Sequence, residues 1–330
     1  MCEYKNTGKN MPRTDLALDA ADFLRSKFYE EAAEENRLPE GIHLETEENG
    51  VVKLTKIKVE SENGSKRIGK PQGTYITLEI PEIATFESQD YEQVSRTISD
   101  MLSEVCDLKK GQSTLVVGLG NWNITADSLG PKTVSKVFVS RHLLQYLPEG
   151  MDSRVNPVSA ISPGVLGITG IETGEIICGI AEKMKPDLII AVDALASGKV
   201  QRVNSTIQIA NTGISPGSGL GNNRMKLSEE TLGVPVIAVG VPTVVDAVTF
   251  TGDAIDKLSE KTGANMLSNM VRDGNYGTLR EYFDEDFNDL VVTPKNIDNV
   301  MDRLSGVIAT GINLSLHRGM TLEEINNIMI

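Results

Sequence analysis

The stretch that most constrains the fold is Ser113–Lys132, STLVVGLGNWNITADSLGPK. Leu115, Val116 and Val117 form a continuous apolar run, Gly118 and Gly120 mark a turn, and a polar loop follows that carries Asp127. Asp187–Ser197, DLIIAVDALAS, repeats the idea: Leu188–Val192 is apolar and Asp193 stands at its carboxyl end. Short continuous apolar runs suit strands buried on both faces, as in parallel sheets. In an open α/β sheet, ligands bind outside the carboxyl ends of the strands. Two carboxylates delivered to that edge are therefore the first candidates for chemistry.

The rest of the chain can be read around this core. Strands are expected at 114–118, 188–192, 206–210 and 234–240, and helices at 132–147, 172–185, 244–261 and 296–316. Alternating strands and helices predict an α/β fold with a mostly parallel twisted sheet flanked by helices. Before residue 90 the pattern differs. Residues 51–60 and 74–80 alternate apolar and polar positions, the mark of half-buried antiparallel strands. A smaller antiparallel subregion is expected at about 45–85, with the α/β core at about 90–330. A turn over Glu60–Gly64 leads to a basic loop at Lys66–Lys70. Leu16, Leu18, Ala21, Phe23 and Leu24 can line one helix face, ahead of a charged linker at Glu30–Glu40. Residues 1–12 are polar and read as loosely held, and 262–289 as a flexible loop or insertion.

Composition narrows the function. A formal charge of −14 over 330 residues argues against nucleic acid or an anionic membrane as a direct partner. Cys2, Cys106 and Cys178 are odd in number and lack CxxC spacing, which fits a reducing compartment without disulfides or a zinc ribbon. The start, MCEYKNTGKN, does not read as a signal peptide. The longest apolar run, Val234–Val245, is broken by Pro235, Gly240 and Pro242 and falls short of the ~20 residues of a membrane span.

Several motifs lose their usual meaning in context. Gly118-Leu119-Gly120 matches only the first half of a dinucleotide fingerprint. Gly213-Ile214-Ser215-Pro216-Gly217 matches GxSxG, but more glycines follow rather than the helix that a nucleophile elbow requires. It reads as a glycine-rich loop whose N–H groups either face an anion or form a surface turn. The three histidines, His43, His142 and His317, show no metal spacing. Carboxylates remain. Two of them a few ångströms apart cannot both ionise freely, so one keeps a proton. The ionised partner can then take a proton from water while the other donates one. The DTG triplet of pepsin-like proteases is absent at both sites.

The sequence resembles the germination protease family of endospore-forming bacteria. The resemblance rests on RTDLA (13–17), LVVGLGNWNITADSLGPK (115–132), SRHL (140–143), NPVSAISPGVLGITGIET (156–173), IIAVDALAS (189–197), RVNSTIQIANTGISPGSGLGN (202–222), GVPVIAVGVPTVVDAVT (233–249) and VVTPKNID (291–298). The stretch 263–288 is shorter than the family leads one to expect.

The resemblance implies an endopeptidase, made as an inactive zymogen, that degrades small acid-soluble spore proteins during germination in the cytoplasm of the spore core. It implies a homotetramer, no cofactor, and a fold similar to hydrogenase-maturation proteases. It also implies a propeptide of residues 1–15, a single peptidase domain of 16–330, and self-cleavage between Asp15 and Leu16. The family's two acidic residues fall on Asp127 and Asp193, giving an atypical aspartic-type mechanism. A metal-dependent peptidase on the same scaffold is the alternative. Thr169, Glu172 and Ser197 are candidates for positioning substrate, although Glu172 equally suits a cap for the helix near Thr173. Asp246 is expected at a helix start as a partner of its dipole.

Overall fold

The apolar run Leu115–Val117 does form a strand buried along its whole length, the centre of a sheet that spans the protein. The computed structural model describes residues 13–32, 38–80, 83–146, 152–217, 224–263, 280–281, 283 and 285–329. Residues 1–12 and most of 264–284, read above as loosely held or flexible, lie outside the described residues.

The strands are β1 (Ile42–Asn49), β2 (Val52–Val59), β3 (Gly73–Glu79), β4 (Thr114–Gly118), β5 (Val158–Ile161), β6 (Leu188–Ser197), β7 (Thr206–Ala210), β8 (Val236–Asp246) and β9 (Val291–Val292). They form one sheet in the order β1-β2-β3-β7-β8-β6-β4-β5, with β9 paired to β8. β5, β4, β6 and β8 run parallel. β7, β3, β2 and β1 continue the sheet as an antiparallel wing. The expected α/β core and antiparallel subregion are thus both present, joined through β7, which runs antiparallel to both of its neighbours.

The period of two sorts side chains between two helix layers. Val116, Ile190, Val192, Ile207, Ile209, Ile76 and Leu78 point to one face, under the helices Ser88–Val105 and Ile297–Leu316. Leu115, Val117, Ile189, Ala191 and Leu195 point to the other, where they meet Ile177 and Ala181 of the helix Thr173–Met184 and the side chain of Leu16. On this second face the helix Ala17–Ala32 covers Ile57, Val59 and Tyr75 of the wing.

Tertiary contacts revise several boundaries. The helix expected over 132–147 is two short ones, Leu129–Val134 and Arg141–Tyr146. Between them the Phe138 N–H donates to Asn313 Oδ1 at 2.9 Å and the Ser140 N–H to Val158 O at 3.0 Å, drawing the backbone off the helical ladder. β6 and β8 run to Ser197 and Asp246, beyond the expected 192 and 240, because they pair with each other through Val245 across a bulge. The segment read as a basic loop at Lys66–Lys70 is largely the helix Glu62–Ile68, whose first turn is capped by Ser61. β1 has no counterpart among the expected strands.

Candidate active site

Asp127 owes its position to three glycines. β4 ends at Gly118, and the chain turns through Gly120 into the 3-10 turn Thr125–Asp127. A Cβ on Gly118 would sit 2.3 Å from Gly130 O, and one on Gly130 would sit 2.2 Å from Leu119 O. The strand end and the following helix therefore approach at backbone contact. Gly120 adopts φ +106, a region that side-chain-bearing residues avoid. The Asn121 N–H then donates to Asp127 Oδ2 at 2.8 Å. Thr125 Oγ1 ties the turn to Asp298 at 3.0 Å, at the start of the helix Ile297–Leu316.

Asp193 stands within β6 rather than at its end, beside the point where β4 departs: β4's pairing stops at Gly118–Val192. It is 4% exposed. Its odd position places it on the sheet face that carries Leu195 and Leu16.

Asp127 and Asp193 line one cavity of about 330 Å³, together with Asp15 and Glu172. Burial pushes the Asp127 carboxyl up to about 6, partly offset by the Asn121 N–H. Burial, and then the negative charges of Asp127 and Asp15, push Asp193 well above the ordinary carboxylate range, against the pull of the Ala194 N–H. The Asp127 charge is thus felt at Asp193 across the cavity that both line. A pair of this kind holds one proton and loses it only at raised pH.

The segment before the first helix lies in the same place. The Asp15 N–H donates to Ala196 O at 3.0 Å, and Lys70 Nζ donates to Asp15 O at 2.8 Å. Leu16 is fully buried among Leu115, Leu195, Ile214 and Leu227. Asp19, 2% exposed, accepts from Thr14 Oγ1 at 2.6 Å and from the Gly198 N–H at 2.7 Å, and it pairs with Arg202. Arg202 also reaches Asp22, which pairs with Lys199 at 2.9 Å. Helix start and β6–β7 loop are thereby fastened together.

The remaining candidates separate. Glu172 occupies the N-cap position of the helix Thr173–Met184 by its backbone only. Its side chain pairs with Arg224 at 3.2 Å in the cavity wall. Thr169 closes a local turn, accepting from the Ile171 N–H at 3.1 Å, and lies outside the described wall. Ser197 is buried and bonds to Lys199 O at 2.9 Å, also away from the wall. Asp246 caps its helix by accepting from the Thr249 N–H at 2.7 Å and pairs with Arg280 at 2.8 Å. Among the described residues no three His, Cys, Asp or Glu side chains cluster as a metal site requires, and no helix is long and apolar enough to cross a membrane.

Sequence reasoning missed Gln208, Lys70 and Asp19. A polar Gln208 within the apolar strand Thr206–Ala210 was a visible signal, whereas nothing around Lys70 distinguishes it from any solvated lysine.

A germination protease from Clostridium acetobutylicum is 47% identical, covering 96% of this chain and 98% of its own length. One from Clostridium tetani is 46% identical with the same coverage. One from Halalkalibacterium halodurans is 40% identical over 95% of each. A solved [NiFe] hydrogenase maturation protease, HycI from Thermococcus kodakarensis, aligns with 42% of this chain and 78% of its own at 20% identity and a TM-score of 0.28. The family profile described as germination protease matches residues 17–286, a span that includes Asp127 and Asp193 but not Asp15. The chain belongs to the germination protease family.

Proposed function

We propose that the protein is the endopeptidase that begins degradation of small acid-soluble spore proteins during germination in the spore core. It is made as a precursor that cuts its own Asp15–Leu16 bond. The observation that carries this reading is that Asp15 lines the same cavity as Asp127 and Asp193. An atypical aspartic-type mechanism follows. The ionised carboxylate takes a proton from water as its oxygen bonds to the Asp15 carbonyl carbon. The carbon–nitrogen bond then breaks as the protonated carboxyl gives its proton to the Leu16 nitrogen, leaving a carboxylate and an amine. Asp193 is the better seat for the resting proton, being the more deeply buried and facing two other carboxylates. Residues 1–15 act as the propeptide, and residue 15 holds the place that a substrate's acidic residue takes later.

Apolar side chains such as Ile124 and Leu166, 54% and 38% exposed at the cavity, suit an extended protein substrate. They also fit the homotetramer implied by the family resemblance. Incubation of the pure chain followed by N-terminal sequencing tests the reading. A product beginning at Leu16 is expected from the parent and absent from Asp127→Asn and Asp193→Asn. Parent-like rates in either variant exclude the mechanism.

A further inference from the structure

Adding water to a peptide carbonyl places a negative charge on its oxygen; the ionised aspartate repels that charge, and the proton of the other is committed to the leaving nitrogen. A peptidase must supply donors aimed at it. The carbonyl oxygen of Asp15 already has two: Lys70 Nζ at 2.8 Å and Gln208 Nε2 at 3.3 Å. The same Gln208 amide uses Oε1 to accept from the Ala17 N–H at 2.7 Å. One side chain thus holds the backbone on both sides of Leu16.

Sheet register explains why these groups meet. Asp193 pairs with Gly240 on one side of β8, and Gln208 pairs with the same Gly240 on the other. Paired residues project to the same face, so Asp193 and Gln208 stand in one row, two strand spacings or about 10 Å apart. Between them Gly240 carries no side chain, and the Leu195 side chain fills the space left: a Cβ on Gly240 would sit 2.4 Å from Leu195 Cδ1. Asp15 and Leu195 line both of two cavities. One holds the aspartates, and the other, about 230 Å³, is lined by Lys70, Gln208 and Gly240. Lys70 is half-buried, and its ammonium group faces Asp15 and Asp19, whose charges oppose the lowering of its pKa by burial. A buried cation at a carbonyl oxygen has little water to screen it.

We infer that Lys70 and Gln208 form the oxyanion site of the peptidase, binding the scissile carbonyl on the side opposite Asp127 and Asp193. This rests on the reading of Asp15–Leu16 as the bond that is cut. As water oxygen bonds to the carbonyl carbon and its proton passes to the ionised aspartate, the carbonyl electron pair moves to the oxygen held by the ammonium and the amide. The pair returns when the bond to the Leu16 nitrogen breaks and that nitrogen receives the other aspartate's proton. Lys70 and Gln208 neither gain nor lose a proton. A protein substrate in the cleft would present the carbonyl of its acidic residue to the same two donors.

The test measures self-cleavage of the full chain by appearance of the product beginning at Leu16, with thermal unfolding and amide exchange at Ala17 followed in parallel. Lys70→Met and Gln208→Glu are each expected to slow the reaction about 10²-fold or more, the usual effect of losing an oxyanion donor. Gln208→Glu keeps an acceptor for the Ala17 N–H, so Ala17 should stay protected from exchange while the rate falls. It decides the matter if Lys70→Met does not fold. Parent-like rates in folded Lys70→Met or in Gln208→Glu, with Asp127→Asn inactive, overturn the oxyanion assignment and leave the aspartate mechanism standing. If the parent itself yields no Leu16 product, both readings fall.

Discussion

The Asp15 N–H donates to the carbonyl of Ala196 at 3.0 Å, and the Ala196 N–H donates back to the Asp15 carboxylate at 2.9 Å. The segment ahead of the first helix is therefore docked along the far end of β6, three residues beyond Asp193, and its acidic side chain is recognised by main chain. An ionised acceptor makes this bond stronger than one between neutral groups.

The first prediction concerns this contact. Asp15→Ala removes the acceptor from the Ala196 N–H and should slow self-cleavage about 10-fold, the value of one charge-assisted hydrogen bond. Mass spectrometry of timed samples checks this, and an unchanged rate would show that the carboxylate is not recognised there.

Stability should depend on pH through Asp127. Burial raises its pKa in the fold from 3.8 to about 6, so the folded chain holds this proton more tightly than the unfolded chain. The resulting stabilisation is complete below about pH 4 and is lost as pH rises through 6, leaving a buried charge that opposes folding. Asp127→Asn removes that charge and keeps an acceptor for Asn121. It should be more stable than the parent by about 1–2 kcal/mol at pH 8, with the gain gone at pH 4. Urea unfolding at the two pH values measures the difference.

Arg202 holds two carboxylates of the first helix, and Asp19 is almost fully buried. Arg202→Met leaves them without their shared cation and should destabilise the protein by about 3 kcal/mol. Denaturant titration reads the loss. Self-cleavage should fall with it, since Asp19 also anchors Thr14.

Gly120→Ala should disturb the site directly. The new Cβ would lie 2.1 Å from Asp127 O and 3.0 Å from Asp127 Oδ1, at a backbone angle that alanine avoids. The turn must shift, at a strain of about 1–3 kcal/mol. Self-cleavage should drop more than 10-fold while far-ultraviolet circular dichroism is retained; full activity would show that the Asp127 turn tolerates displacement.

Removal of the leading segment should open the cavity. A chain beginning at Leu16 lacks Asp15, which forms part of the wall beside both aspartates. It should cleave an added Thr-Asp-Leu-Ala peptide faster than the full chain, as initial rates of product formation will show. Equal rates would mean that residues 1–15 do not restrain activity.

The legible parts of the fold were those written in local pattern. Thr114–Gly118 and Thr206–Ala210 stand where continuous apolar runs placed them, and Ile297–Leu316 follows its helical period within one residue. Patterns failed where backbone groups found distant partners. Phe138 left its helix for Asn313, and β8 carried β6 past the aspartate that looks like a strand end.

The site divides in the same way. Sequence alone determined that Asp127 follows a buried strand with glycines to turn the chain and that Asp193 directly follows the apolar run Leu188–Val192, because side-chain period and turn chemistry act over a few residues. Tertiary structure alone decided that residue 15 lies between those aspartates and the Lys70–Gln208 pair, drawn from positions up to 193 residues apart in the chain. Which side chains face one another across Gly240 is set by strand order and register, and those emerge only when the whole sheet pairs.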